Sequence, residues 1–266
     1  MKYLTEREIH VIGVQRTGQH AITSWLIGHF ENVCYKNNMS QAGEKPRRCQ
    51  GIQPPWWYFK QSEGEQWVED YLPSIKMGMD AVILGTELTF PNFGLNPKLD
   101  NMRKDMCKKC NVDQFARRTD YLLVCRHPFN HYASVLKWRR NRRLRSPKQF
   151  SRVWVEMAQE ILGERSRICG NKTPVLYDEW FDSERYRREL ADRLNLKLTD
   201  RRLNIVMDIG IDNRRGSSFD GMSYKRQGQK MNVLNRWGYV KDHPSYREVA
   251  EDSEVKKYAR LLGFEI

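Results

Sequence analysis

Two glycines five residues apart open the part of the sequence best suited to binding a phosphate. Gly13 and Gly18 have the spacing of the nucleoside-triphosphate loop G-x-x-x-x-G-K-[ST], in which the Lys reaches the outer phosphates and the hydroxyl helps to hold Mg²⁺. Gln19 and His20 stand where that loop has Lys and Ser or Thr. The spacing therefore indicates an anion-binding turn, and the missing residues argue against Mg²⁺-dependent transfer from ATP or GTP.

The segments on either side of the glycines support this interpretation. Residues 9–14 (IHVIGV) are a β-branched apolar run, and residues 20–30 (HAITSWLIGHF) carry apolar side chains at helical spacing. A strand, turn and helix in this order offer backbone N–H groups and the positive end of the helix dipole to an anion. Arg16 and Thr17 add a charge and a hydroxyl. An ordinary turn with a surface Arg is the alternative.

A second set of phosphate-binding residue types follows another predicted strand. Residues 120–128 (DYLLVCRHP) predict a strand that Pro128 ends, with a helix from residue 129. Arg126 then lies at the carboxyl end of the strand, and Ser134 about two turns into the helix. A guanidinium fork and a hydroxyl together suit a phosphate monoester, whereas surface or capping roles are the alternative for each residue alone.

The remaining patterns predict how these segments are arranged. Residues 80–88 (DAVILGTEL) and 173–181 (TPVLYDEWF) predict further buried strands, and residues 183–196 and a segment near 246–262 predict helices. Residues 34–62 have no period and are interpreted as a long excursion. Strands that alternate with helices predict a parallel sheet covered on both faces, with ligands at the carboxyl ends of its strands.

Bulk composition limits the class of protein. A chain of 266 residues with 39% hydrophobic residues can fill one large core, so we expect a single domain over residues 1–266. The net charge of +13 indicates anionic binding partners such as nucleotides, acidic glycans, anionic lipids or nucleic acid. No run approaches the ~20 apolar residues of a membrane span, and the N-terminal residues lack the order of a secretory signal, so the sequence predicts a cytoplasmic protein.

The two phosphate-binding segments together resemble the sulfotransferases that use 3′-phosphoadenosine 5′-phosphosulfate (PAPS). GVQRTGQHAITSWL is similar to the family's 5′-phosphosulfate loop, with Arg16 at its Lys or Arg position. LLVCRHPFNHYASVLKW is similar to the family's 3′-phosphate motif, which Arg126, Pro128 and Ser134 match. VLYDEWF resembles a strand end of the family, and NRRGSSF at 213–219 is a weaker echo of a segment that reaches the 3′-phosphate, with YKRQGQ as a competitor.

The resemblance implies a three-layer α/β fold of the sulfotransferase-like P-loop type, with a central parallel β-sheet flanked by helices. It implies that a sulfuryl group passes from PAPS to a hydroxyl or amine of a glycan, lipid or small molecule. PAPS is then the co-substrate, 3′-phosphoadenosine 5′-phosphate (PAP) the product, and no metal takes part. The donor-binding positions that the resemblance carries over are Arg16, Thr17, Gly18, Gln19, His20, Ala21, Arg126, Ser134, Arg214, Arg215 and Gly216.

The resemblance also implies a general base. VILGTELTFP is similar to the family's I-K-T-H-L-P strand, and Glu87 falls on the His that acts as base there. The expected catalytic residues are Glu87, Arg16 on the departing nucleotide, and His20, which orients the donor. A Glu that caps or pairs with an Arg is the alternative for Glu87. His20, His127 and His131 are the other possible bases, with structural or surface roles favoured for His127 and His131.

Other segments leave the acceptor and two rival functions open. The basic run at 138–148 suits a solvated helix face or a lip that attracts an acidic acceptor, and residues 54–59 (PPWWYF) suit a sugar or phenol pocket or plain packing. MCKKC at 106–110 has zinc spacing without a second pair of ligands. Residues 31–75 and 220–266 match nothing in the family, so the acceptor and the oligomeric state stay open. A nucleotide kinase with a degenerate loop and a nucleic-acid binder are the rivals.

Overall fold

The computed structural model describes residues 1–36, 56–60, 64–68, 79–88, 103–104, 107–108, 110–137, 146–205, 219, 224 and 227–266. The backbone alone is described for residues 36, 56–60, 64–68 and 87. The predicted donor-binding residues Arg214, Arg215 and Gly216 lie outside the described residues, as does most of the basic run at 138–148.

A seven-stranded sheet forms the centre of the described chain. Its strands are β1 (Tyr3–Val14), β2 (Asn32–Lys36), β3 (Trp56–Lys60), β4 (Gly64–Val68), β5 (Met79–Leu88), β6 (Gln114–Cys125) and β7 (Asn171–Leu176). The spatial order is β4-β3-β2-β5-β1-β6-β7. The five neighbouring strands β2, β5, β1, β6 and β7 are parallel, whereas β3 pairs antiparallel with both β2 and β4. The carboxyl ends of β5, β1 and β6 therefore lie side by side.

Helices cover both faces of this sheet. The described residues form α1 (Gln19–Ile27), α2 (Pro128–Lys137), α3 (Pro147–Leu162), α4 (Tyr177–Asp182), α5 (Glu184–Arg193), α6 (Pro244–Glu251) and α7 (Ser253–Leu261). Apolar side chains of α1, α4 and α5 form the core on one face, and those of α2, α3, α6 and α7 form the core on the other. The predicted three-layer α/β fold with a central parallel sheet is thus confirmed.

The pattern of β1 follows from burial on both faces. Ile9 and Val11 point into the core beside α1, whereas Ile12 and Val14 point into the core beside α3, because successive side chains of a strand alternate. A strand buried on both faces is a continuous apolar run. This explains why the strand that carries the glycine turn was visible in the sequence.

The predicted strand at 173–181 is wrong in its second half. β7 ends at Leu176, and α4 begins at Tyr177. Asp178 and Glu179 lie in the first turn of α4, where carboxylates stabilise the positive end of a helix dipole. Pro174 is tolerated within β7 because this strand lies at the edge of the sheet.

Two other predictions need correction. The helix predicted near 246–262 is the pair α6 and α7, because Asp252 ends the first and caps the second, its Oδ1 accepting from the N–H groups of Glu254 (3.0 Å) and Val255 (3.2 Å). The excursion at 34–62 contains most of β2 and all of β3, and β4 follows it. No helix in the described part of the chain is long and apolar enough to cross a membrane.

Candidate active site

The turn between β1 and α1 has an unusual backbone conformation. The N–H of Thr17 donates to the carbonyl of Val14 (3.0 Å), and Arg16, the third residue of this turn, has φ 75°. A positive φ at the third position alone is the pattern of a type II β-turn, where Gly is the usual residue. Gly18 follows at φ 94°, and α1 begins at the next residue. The N-terminal N–H groups of α1 therefore face the turn, as an anion-binding site requires.

Gly18 is also needed for packing. A Cβ atom on this residue would lie 2.2 Å from Cε2 of Tyr177, the first residue of α4. Such a contact leaves room for a hydrogen atom and nothing larger. The second glycine of the motif thus lets the turn lie directly against α4.

Two side chains of the turn are buried with polar atoms unsatisfied. Thr17 is 1% exposed and Gln19 is 3% exposed. Among the described residues, neither the Thr17 hydroxyl nor the side-chain amide of Gln19 has a hydrogen-bond partner. A buried polar atom without a partner costs about 1–3 kcal/mol. The hydroxyl and the amide N–H groups can donate to an anion, so the turn fits an anionic ligand.

The residues predicted at the end of β6 lie together. Arg126 directly follows β6, and its Nη1 donates to Oγ of Ser134 on α2 (3.1 Å). Both residues are 1% exposed. The Ser134 hydroxyl donates to the carbonyl of Asn130 (2.9 Å), and Trp154 Nε1 donates to the carbonyl of Arg126 (2.9 Å), which fixes the strand end against α3. The eight-residue spacing thus brings the guanidinium and the hydroxyl into contact.

A third member of this cluster is Arg236, which was not predicted from the sequence. Its Nη1 donates to the same Ser134 Oγ (3.1 Å), and its Nε donates to the carbonyl of Asn232 (3.2 Å). Arg236 lies 102 residues from Ser134 in the chain and is 6% exposed. No local spacing signals this contact, because it depends on how the C-terminal segment crosses the sheet edge.

The guanidinium of Arg126 is a buried positive charge that has no carboxylate partner among the described residues. Within the part of the chain that the structure describes, no carboxylate forms an ion pair with Arg126. Asp178 on α4 instead accepts from the N–H of His127 (2.6 Å) and from Nδ2 of Asn130 (3.4 Å). Because burial of a charge is costly unless it is paired, this guanidinium is suited to receive an anion.

The C-terminal segment that carries Arg236 packs over Arg126, and we call its residues 228–240 the covering segment. The carbonyl of Val233 accepts from Nη2 of Arg126, and that of Leu234 accepts from Nδ2 of Asn130. The N–H of Trp237 donates to Oδ1 of Asn130 (3.4 Å). Backbone carbonyls therefore occupy donors of the cluster in this structure.

Tyr177 connects the turn to the cluster. Its ring contacts Gly18, and the guanidinium carbon of Arg126 lies 5.0 Å from the ring centroid. Burial raises the pKa of Tyr177, although the charges of Arg126 and Arg236 act in the opposite direction, so the phenol is neutral at pH 7. The ring of Tyr177 therefore contacts both the turn and a member of the arginine cluster.

The candidate base and two donor-loop residues lie around the turn. Glu87 pairs in register with Gly13, so its backbone lies beside the start of the turn. Its side chain is outside the described set. His20 and Ala21 lie in the first turn of α1, both partly exposed, and the N–H of Ala21 donates to the carbonyl of Gly18 (2.9 Å).

The two other histidines have structural contacts. His127 Nε2 lies 2.9 Å from the carbonyl of Glu265. His131 is fully buried, with Nε2 2.8 Å from the carbonyl of Gln15 in the turn. Burial lowers the pKa of His131 to about 3, since the hydrogen bond to Gln15, which raises it, is outweighed. A neutral imidazole that donates to a carbonyl is a structural group, as the sequence analysis favoured.

The two free cysteines of the MCKKC segment lie away from this site. Cys107 and Cys110 are partly buried against the core cluster that contains Leu4 and Phe115. Burial, together with the neighbouring Cys110, raises the pKa of the Cys107 thiol. Among the described residues, no group of three or more His, Cys, Asp or Glu side chains is arranged to hold a metal ion.

Comparisons with known proteins bear on the fold. No protein-family model matches the sequence, and no curated protein matches it. Among solved structures, the sulfotransferase domain from the Synechococcus PCC 7002 olefin synthase has a TM-score of 0.52 at 12% identity, over 100% of this chain and 96% of that chain. The sulfotransferase domain from the curacin biosynthetic pathway has a TM-score of 0.33 at 16% identity, over 72% of this chain and 65% of that chain. The first likeness shows that this chain has a sulfotransferase-like fold.

Proposed function

We propose that this protein is a sulfotransferase that moves a sulfuryl group from PAPS to a hydroxyl or amine of its acceptor. The observation that carries the proposal is the buried cluster of Arg126, Ser134 and Arg236, in which both guanidinium groups donate to one hydroxyl. Two guanidinium forks and a hydroxyl suit the 3′-phosphate, which distinguishes PAPS from most other nucleotides. Arg214, Arg215 and Gly216 are proposed as further contacts to this phosphate.

The turn between β1 and α1 is the proposed site of the 5′-phosphosulfate. The Thr17 hydroxyl and the N–H groups of the Gln19 side chain can donate to a phosphate oxygen, and Gly18, His20 and Ala21 belong to the same helix start. Negative charge grows on the oxygen between phosphorus and sulfur as the S–O bond breaks. Arg16 and the helix-terminal N–H groups stabilise this leaving group electrostatically.

Glu87 is the proposed general base. The acceptor oxygen or nitrogen attacks sulfur in line, the bond between sulfur and the bridging oxygen breaks, and the acceptor proton passes to the Glu87 carboxylate. PAP leaves with the electron pair of the broken bond. The register of Glu87 with Gly13 supports this role, because the backbone of Glu87 lies beside the start of the turn between β1 and α1. His20 is proposed to orient the donor.

A ligand-binding experiment tests the proposal without knowledge of the acceptor. We expect PAP to raise the melting temperature of the protein at lower concentration than 5′-AMP does, since a ligand that binds only the native state stabilises it. The difference between the two nucleotides measures the contribution of the 3′-phosphate. If PAP and 5′-AMP stabilised the protein equally, or if neither stabilised it, the assignment of PAPS as the donor would be contradicted.

A further inference from the structure

Gln15 is held from two sides, through its N–H in the peptide before it and through its carbonyl in the peptide that joins it to Arg16. The N–H of Gln15 donates to the carbonyl of Leu88, the last residue of β5 (3.1 Å). The carbonyl of Gln15 lies 2.8 Å from Nε2 of His131 on α2. Strand β5 therefore fixes the start of this residue, and α2 fixes the orientation of the peptide that follows it.

The orientation of the Gln15–Arg16 peptide requires a positive φ at Arg16, which is unfavourable for a residue other than glycine. Arg16 has φ 75°, and the turn is closed by the hydrogen bond from Thr17 to Val14. The positive φ costs about 1 kcal/mol or more for an L-residue with a Cβ. The commoner type I turn has the same closing bond but a negative φ at the third residue, which turns the central peptide over. The Gln15 carbonyl would then point away from α2.

The imidazole of His131 is placed to select between these two turns. A carbonyl oxygen only accepts hydrogen bonds, so Nε2 of His131 must carry the proton. The ring is fully buried, 4.9 Å from the ring of Phe150 in an edge contact, and Nδ1 has no partner within the described chain. Burial of the His131 ring is costly because Nδ1 is left without a partner. The hydrogen bond from Nε2 to the Gln15 carbonyl offsets part of this cost.

We propose that His131 is a positioning residue that locks the Gln15–Arg16 peptide in its turned-over orientation and so holds Arg16 at the phosphate turn. Because C=O and N–H of a trans peptide point in opposite directions, fixing the Gln15 carbonyl also fixes the direction of the Arg16 N–H. His131 lies three residues before Ser134 on α2, so one helix links the turn to the arginine cluster. The inference deepens the proposed function and rests on it for the identity of the ligand.

The first test needs no ligand. In a crystal structure of ligand-free His131→Phe, which keeps an aromatic ring but removes the donor, we expect Arg16 to leave the left-handed region. His131→Gln supplies an amide donor in place of the imidazole and should keep φ of Arg16 positive. An unchanged turn in His131→Phe overturns the inference, whatever nucleotides do. If His131→Phe does not fold, His131→Leu serves as the donor-free variant.

The second test separates positioning from general stability. We expect His131→Phe to lower the affinity for PAP about tenfold, the typical effect of one lost hydrogen bond, and to change the affinity for 3′-AMP less than about twofold. His131→Gln should recover most of the loss. Equal losses for PAP and 3′-AMP would mean that His131 only stabilises the fold. If wild type binds neither nucleotide, the proposed function fails, while the crystal structures still decide the role of His131.

Discussion

Replacement of Arg126 by Met should separate a ligand-binding arginine from a structural one. Met has a similar length but no charge and no donors. In this structure the guanidinium donates to Ser134 and to the carbonyl of Val233 and has no described carboxylate partner. Removing the guanidinium takes a donor from the carbonyl of Val233, but it also removes a buried charge that has no described carboxylate partner. These two effects oppose each other, so the free energy of unfolding should change little. Arg187→Met is the matched control, since Arg187 is also buried but pairs with Asp200 (3.0 Å).

The expected magnitudes follow from these contacts. Hydrogen bonds to charged groups contribute about 1.5–3 kcal/mol each, and Arg126 must exchange present contacts for phosphate contacts. We therefore expect Arg126→Met to weaken PAP binding by about 2 kcal/mol or more, roughly 30-fold in Kd. Arg187→Met should leave PAP affinity unchanged but lower the free energy of unfolding by about 2 kcal/mol or more. Asp200 loses its ion-pair partner, although Trp25 Nε1 still donates to it, and the carbonyl of Trp180 loses the Arg187 donor.

Calorimetric titration with PAP and with adenosine 5′-phosphosulfate, which lacks the 3′-phosphate, checks this prediction, and chemical denaturation measures stability. Arg126→Met should affect PAP alone. Equal losses for both ligands would show that Arg126 does not contact the 3′-phosphate. A loss of PAP affinity in Arg187→Met as large as that in Arg126→Met would show that the effect is a general loss of structure.

Four further outcomes are expected. Transfer activity should survive EDTA, measured with labelled donor and an acceptor found by screening, whereas rescue by Mg²⁺ would favour a kinase. Glu87→Gln should lower turnover about 10²-fold or more and leave PAP affinity unchanged in titration, whereas wild-type turnover in this variant would identify a histidine as the base. Gly18→Ala should lower the free energy of unfolding by about 2 kcal/mol or more in denaturation, since its φ is 94° and its Cβ would meet an aromatic ring at 2.2 Å. Burial alone raises the pKa of Glu8, but hydrogen bonds and charges from His10 and Arg103 outweigh it and lower this pKa below its usual range. The stability that the Glu8 carboxylate provides should therefore be lost as the pH falls below about 4.3. In acid denaturation, Glu8→Gln should make the free energy of unfolding depend less on pH in this range.

The parts of the fold that were predicted from the sequence have local signals. β1 is an apolar run that ends at the glycine turn, and β6 is an apolar run that ends shortly before Pro128. Both signals can be recognised without knowledge of the rest of the chain. α3 has similar signals, with Pro147 at its start and Gly163 after its end, that the sequence analysis did not use. The spacing of Arg126 and Ser134 brought them together because a strand end and two helical turns have fixed dimensions.

The parts that were not predicted depend on tertiary structure. Arg236 reaches Ser134 from 102 residues away, and only the path of the covering segment sets that distance. The change from strand to helix at Tyr177 was hidden because apolar and aromatic residues continue through it. The peptide orientation at Arg16 depends on a donor from another element, so no pattern around residue 16 reveals it.

The covering segment has a consequence for how fast a ligand can bind. The carbonyl of Val233 accepts from Nη2 of Arg126, and Arg126 and Ser134 beneath the segment are almost wholly shielded from solvent. An anion can reach this guanidinium only after the segment moves and the carbonyl gives up its place. Association should then involve an opening step, so the observed rate should level off as ligand concentration rises instead of increasing in proportion to it.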